Sequence, residues 1–247
     1  MNHELKNVWN RYFQYSWKFG LFLILLVCVP RFYLVLRANQ LASYGSIGLI
    51  MFVSALVPFL FLNKYGRKQI GIVRTQKIKW VLIAFLTGIM GSFLLYLAGK
   101  VLFGSGVQNW YVYIGKSYNI SEDIDARQKF IQFVVMATTG MIFSPIGEEL
   151  FFRGIVHGSF AKSIGEKKAS IVDSSAFALT HLSHFGLVYV NLQWDFYFVP
   201  ALLWVISMFL VSLLFFMMKK KSGSIWGAVL CHAGFNLGMI FSIFYLL

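Results

Sequence analysis

Residues 130–156 read FIQFVVMATTGMIFSPIGEELFFRGIV, an apolar run that holds three charged side chains, Glu148, Glu149 and Arg153, near its end. The run is long enough to cross a bilayer, since a membrane helix needs about 20 mostly apolar residues. Six further stretches meet the same criterion, at 17–36, 44–62, 80–103, 169–190, 196–218 and 224–247. The first is interrupted by Pro30 and Arg31; a kink and an arginine snorkelling from the far end would reconcile them with a span. The pattern predicts an all-α fold, a polytopic membrane helix bundle of about seven transmembrane helices, forming one domain over 1–247.

Composition leads to the same class. Of 247 residues, 58% are hydrophobic and 13% charged. A soluble domain holds about 45–50% apolar and about 25% charged residues, so a chain this apolar needs lipid as part of its solvent. Cys28 and Cys231 both sit inside apolar runs, where they read as small buried hydrophobes rather than a disulfide framework. Residues 1–18 are polar and aromatic, with no short apolar core or small-residue cleavage site, so no cleavable signal peptide is expected.

Lys and Arg number 22 against 9 Asp and Glu, a net charge of +13. The basic residues cluster in short loops between apolar runs. That placement speaks for membrane topology and anionic headgroups and against nucleic acid. The N-terminal tail, the 63–79 segment and the loops holding Lys162, Lys167 and Lys168 and Lys219, Lys220 and Lys221 together carry 15 basic residues. The opposite side carries 5: Arg37, Lys100, Lys116, Arg127 and Lys129. The bias predicts an N-terminus in the cytoplasm and a C-terminus outside. The trio Glu122, Asp123 and Asp125 falls on the outer side, and the basic 63–79 segment reads equally as a surface-lying stretch or a solvated loop.

Ionisable groups inside a bilayer are costly, rare and usually functional. Here they are Glu148, Glu149 and Arg153 in the fourth span, Asp173 and His181 in the fifth with His184 beyond, and His232 with Asn236 in the seventh. Counting inward from the cytoplasmic edge at 1.5 Å per residue, Glu148 and His232 lie roughly 12 Å deep and His181 about 18 Å. Three helices of alternating direction thus bring polar groups to one level in the cytoplasmic half.

Helical spacing suggests what each group does. Glu149 and Arg153 are four apart and face one another. Glu148 is turned about 100° away, so Arg153 does not neutralise it. A carboxylate in a low-dielectric site without a close cation is a better base than one in water, suited to activating a water. His232 and Asn236 share a face and are able to donate two hydrogen bonds to a developing oxyanion. His181 is placed to hold the water or to share its proton traffic. Each also has a plainer reading: a structural ion pair for Glu149 and Arg153, interhelical hydrogen bonding for His181 and Asn236. For the rest, Asp173 is expected at an interface or cap, His157 against backbone or lipid phosphate, and His184 on the face adjacent to His181, in a supporting role.

Three motifs follow in order: Glu148-Glu149-Leu150-Phe151-Phe152-Arg153 as E-E-x-x-x-R, Phe177-Ala178-Leu179-Thr180-His181 as F-x-x-x-H, and His232-Ala233-Gly234-Phe235-Asn236 as H-x-x-x-N. On successive hydrophobic helices they resemble the CPBP (Abi) family of CAAX proteases and bacteriocin-processing enzymes, over about 130–247, the expected catalytic core. The resemblance implies an intramembrane endopeptidase. In it Glu148 activates the water beside His181, His232 and Asn236 stabilise the oxyanion, and Glu149 with Arg153 shapes the site.

The family has been described both with and without a metal. Catalytic zinc takes three protein ligands; Glu148, His181 and His232 would be the set. The base would then fall to Glu149, which Arg153 occupies, so no cofactor is the expectation and zinc the alternative. The expected partners are membrane lipids and a membrane-associated peptide or protein substrate. The expected setting is a bacterial plasma membrane, in peptide or bacteriocin processing, signalling or self-immunity. The competing functions are a non-enzymatic scaffold or immunity protein, which would tolerate Glu148→Gln, and a proton-coupled carrier. A carrier would be supported by inverted repeats, and none is found.

Overall fold

The computed structural model describes residues 3–41, 45–116, 118 and 125–247. Ten helices and one hairpin are seen among them. In chain order the helices are α1 (Trp17–Leu41), α2 (Gly45–Phe61), the short α3 (Lys64–Gln69), α4 (Ile78–Phe103), α5 (Trp110–Lys116) and α6 (Ala126–Glu149). A π-helical segment, Leu150–Val156, continues α6 into α7 (His157–Ile164). Then come α8 (Glu166–Thr180), a 3₁₀ turn at His181–Ser183, strands β1 (Leu187–Val190) and β2 (Gln193–Phe196), α9 (Phe198–Ser222) and α10 (Ile225–Tyr245).

Five helical stretches among the described residues are long and apolar enough to cross a membrane: Trp17–Leu41, Ile78–Phe103, Ala126–Ile164, Phe198–Ser222 and Ile225–Tyr245. The chain is a multi-pass membrane helix bundle. The other two expected spans are shorter. Helix α2 has 17 residues. The fifth expected span, 169–190, is a helix only to Thr180; Leu187–Val190 pairs antiparallel with Gln193–Phe196 instead. The physical cause is local. After the 3₁₀ turn at His181–Ser183, Gly186 at φ +123° turns the chain away from any further helix, and Asn191 and Leu192 at φ 51° and 62° form the two-residue turn of a tight hairpin. Val and Tyr before that turn suit a strand better than a helix.

Helix α10 lies at the centre. It is apolar nearly all round, as befits a helix enclosed by its neighbours, and its buried face is rich in Gly, Ala and Ser. Small residues let backbones approach closely in membrane bundles. A Cβ on Gly234 would meet the carbonyl oxygen of Phe85, and one on Gly88 that of Cys231. The α4–α10 contact is therefore backbone to backbone on either side of His232. Cys28 and Cys231 are free and buried, as expected.

The basic segment after α2 is not a helix lying free. After six residues of α3 it is pinned to the start of α10: Ile225 N–H donates to Gly71 O at 2.9 Å and Ser224 Oγ to Val73 O at 2.6 Å. Of the acidic trio, Glu122 and Asp123 lie outside the described residues. Asp125 caps α6, accepting from Gln128 N–H at 2.8 Å.

Candidate active site

The E-E-x-x-x-R motif straddles the change from α-helix to π-helix. Glu148 and Glu149 end α6, and Arg153 lies within Leu150–Val156, every residue of which is buried. π-Helical turns occur frequently at functional sites. The two neighbouring glutamates diverge. Glu148 faces a cavity of about 190 Å³, whereas Glu149 turns behind it.

At the cavity, Glu148 is 2% exposed. Its Oε1 accepts from Arg31 Nη2 at 2.9 Å and from Ser144 Oγ at 2.5 Å. Its Oε2 is buried with no hydrogen-bond partner and lies 3.7 Å from His181 Nε2. His181 Nδ1 is 2.8 Å from Phe177 O. A carbonyl only accepts, so Nδ1 carries the proton and Nε2 of the neutral ring presents a lone pair. Two acceptors thus face each other across a gap too long for a direct hydrogen bond. Trp204 Nε1 holds the His181 backbone oxygen at 2.9 Å, and the Phe177 ring lies tilted over His181 at 4.2 Å.

Behind the cavity, Glu149 Oε1 accepts from His232 Nδ1 at 2.8 Å, and Glu149 Oε2 lies 3.2 Å from Arg153 Nε. Arg153 is fully buried. Its Nη2 donates to Ser212 Oγ at 2.5 Å, and its guanidinium lies over the Phe177 ring at 4.3 Å and the Phe215 ring at 5.5 Å. Phe215 also stacks on His232 at 4.6 Å and 15°. Asn236 Nδ2 donates to Gly140 O at 2.9 Å, so one of its amide hydrogens is already committed.

Five expected polar residues therefore gather around or directly behind one cavity from α6, α10 and the turn after α8: Glu148, Glu149, His181, His232 and Asn236, with Arg153 beneath. Two expectations need correction. Glu148 does have a close cation, because Arg31 is 3% exposed and turned inward rather than snorkelling; a buried guanidinium is held where a carboxylate compensates it. His157 does not reach backbone or lipid. Its Nδ1 pairs with Asp173 Oδ2 at 2.5 Å and its Nε2 with Glu166 Oε2 at 3.3 Å. The hydrogen bond to His157 lowers the half-exposed Glu166 carboxyl. His184 lines the cavity beside His181, ring centroids 5.3 Å apart.

Sequence reasoning missed Arg31 and Ser144 as parts of the site. Both left a signal: Arg31 is a charge within a span, and Ser144 precedes Glu148 by four residues on one helical face.

The zinc set fits poorly. Glu148 Oε1 is held by a guanidinium, and no three His, Cys, Asp or Glu side chains among the described residues cluster as metal ligands. A cation at Glu148 would sit against the buried positive charge of Arg31.

Residues 130–238 match the family model described as type II CAAX prenyl endopeptidase Rce1-like. No curated protein and no solved structure matches the chain. The matched stretch contains all three motifs and runs from α6 to the middle of α10. Over residues 130–238 the chain is similar to the type II CAAX prenyl endopeptidase family.

Proposed function

We propose that the protein hydrolyses a peptide bond of a membrane-associated peptide by a glutamate-activated water, without metal. The observation that carries the reading is the unpartnered, buried Glu148 Oε2 set 3.7 Å from the His181 Nε2 lone pair. A water donating one hydrogen to each acceptor has its own lone pair free for a carbonyl carbon. Glu148 Oε2 takes the water's proton as the C–O bond forms and returns it to the departing nitrogen. The oxyanion falls to His232 and Asn236. With Nδ1–H spent on Glu149, His232 donates from Nε2 only when the ring carries both protons, and Glu149 is the countercharge beside it. The second Asn236 amide hydrogen completes the pair.

The aromatic and methionine side chains lining the cavity, Met51, Met208, Met239, Phe177 and Phe235 among them, suit an apolar substrate segment. The basic bias of 15 to 5 supports an N-terminus inside and a site in the cytoplasmic half. The compact chain and Lys-rich loops favour a bacterial plasma membrane, with a role in peptide or bacteriocin processing, signalling or self-immunity.

Two measurements test this. Peptide profiles of cells carrying wild type or Glu148→Gln at equal abundance should differ by a precursor that accumulates only in the variant. Purified protein in nanodiscs should cleave an internally quenched peptide ending in a Cys-aliphatic-aliphatic-any sequence. Preference for the farnesylated form points to prenylated substrates; equal cleavage of the unmodified form favours peptide processing. Cleavage of neither, with matching profiles, leaves the scaffold function in its place.

A further inference from the structure

We propose that α1, which lies outside the matched domain, is part of the catalytic unit and that Arg31 on it is a positioning residue for Glu148. The inference rests on the peptidase reading above. Arg31 is the partner that decides which carboxylate oxygen is free. Its Nη2 and Ser144 Oγ both hold Oε1, at 2.9 and 2.5 Å, and neither reaches Oε2, which faces His181. A carboxylate held at one oxygen by two donors cannot rotate to exchange them, so the lone pair toward the water is fixed before substrate arrives. Ser144 alone would leave a neutral hydrogen bond in the place of a charge-assisted one, which is roughly half as strong.

A second contact on the same helix serves the other acceptor. Asn39 lies eight residues after Arg31, about 12 Å further along the axis and on the neighbouring face. Its Nδ2 donates at 2.8 Å to the carbonyl of Ser183, in the 3₁₀ turn that begins with His181. One rigid helix thus bridges the element bearing Glu148 and the turn bearing His181, groups 33 residues apart in sequence. The 3.7 Å gap between Oε2 and Nε2 is set by what α1 grips at both ends. The sequence pattern fits the assignment: Arg31 lies midway along a 25-residue helix, in turns filled mostly by Val, Phe and Leu, where a charge without a task is expelled by its desolvation cost.

The test compares wild type, Arg31→Met, Arg31→Lys and Glu148→Gln in nanodiscs, on whichever quenched peptide wild type cleaves. For Arg31→Met we expect kcat to fall about 100-fold, the cost of a small misplacement of a reacting group, with KM within about threefold. We also expect millimolar guanidinium to restore part of kcat in Arg31→Met and none in Glu148→Gln. A role in folding alone would lower the melting temperature and the active fraction, and added guanidinium would not recover kcat. If Arg31→Met does not fold, Arg31→Lys decides, since lysine keeps the charge without the planar fork. A kcat loss of about tenfold at unchanged KM supports the assignment; wild-type kcat overturns it. Wild-type kcat in Arg31→Met beside an inactive Glu148→Gln overturns the role of Arg31 while leaving the peptidase reading intact. Activity in Glu148→Gln overturns Glu148 as the base that the peptidase reading assigns, and with it any task for Arg31 in positioning that base.

Discussion

His232 Nδ1 lies 2.8 Å from Glu149 Oε1, so a ring on α10 takes its orientation from a carboxylate at the end of α6. The same carboxylate meets Arg153 on its other oxygen at 3.2 Å. The glutamate adjacent to the proposed base therefore serves the opposite end of the reaction, where negative charge develops. Replacing His232 by Ala should lower kcat by about 10²–10³-fold, the usual cost of a lost oxyanion donor, with KM little changed. Glu149→Gln should come close to the same loss, because an amide does not balance a doubly protonated ring. Steady-state kinetics on both variants checks this; a Glu149→Gln enzyme with wild-type kcat would separate Glu149 from His232.

Arg153 supports the site from below, packed behind two of the rings that line the cavity without lining it itself. It is fully buried among Phe177 and Phe215, bonded to Ser212, and its backbone oxygen accepts from Lys219 Nζ at 2.5 Å. Arg153→Met leaves Glu149 buried beside an empty place. Removing one partner of a buried pair costs about 3–5 kcal/mol, so unfolding in detergent should shift by that amount. Arg153→Lys should recover only part of it, as lysine lacks the flat group that stacks on the rings. Unchanged unfolding in Arg153→Met would show that the aromatic cage alone holds this region together.

The backbone contact of α4 with α10 gives a third expectation. Gly88 packs on the carbonyl of Cys231, the residue before His232, and Gly234 packs on that of Phe85. A methyl at either position meets backbone, which has no rotamer to yield. Gly88→Ala and Gly234→Ala should push the helices apart and carry His232 away from its place, with a loss of about 100-fold in kcat/KM. Hydrolysis rates measured alongside melting temperatures test it, and wild-type rates in both variants would mean that α10 does not need this contact.

Helical character could be read from the sequence over the five long apolar stretches, because in lipid every backbone polar group must be satisfied within the segment. The hairpin after α8 escaped that reasoning. Leu187–Val190 is apolar enough to extend a span, and only the Asn191-Leu192 turn and the alternation of Gln193–Phe196 mark it as two strands. The site residues were legible for a different reason: Glu148, His181, His232 and Asn236 stand out in hydrophobic surroundings. What spacing along one helix could not give was partners from another. Arg31 meets Glu148 across 117 residues, and His157 finds Asp173 sixteen residues on through a turn between two helices. Nor could an α-helical wheel anticipate that Leu150–Val156 winds as a π-helix.

The most direct test of the account is the hydrolysis rate of purified Glu148→Gln in nanodiscs against wild type, at equal folded amounts, on the quenched peptide. A lost general base should lower kcat by about 10²–10⁴-fold while peptide binding persists. Hydrolysis at the wild-type rate would contradict the account: Glu148 would not activate the water, and the cavity beneath Arg31 and His181 would be a binding site rather than a site of chemistry.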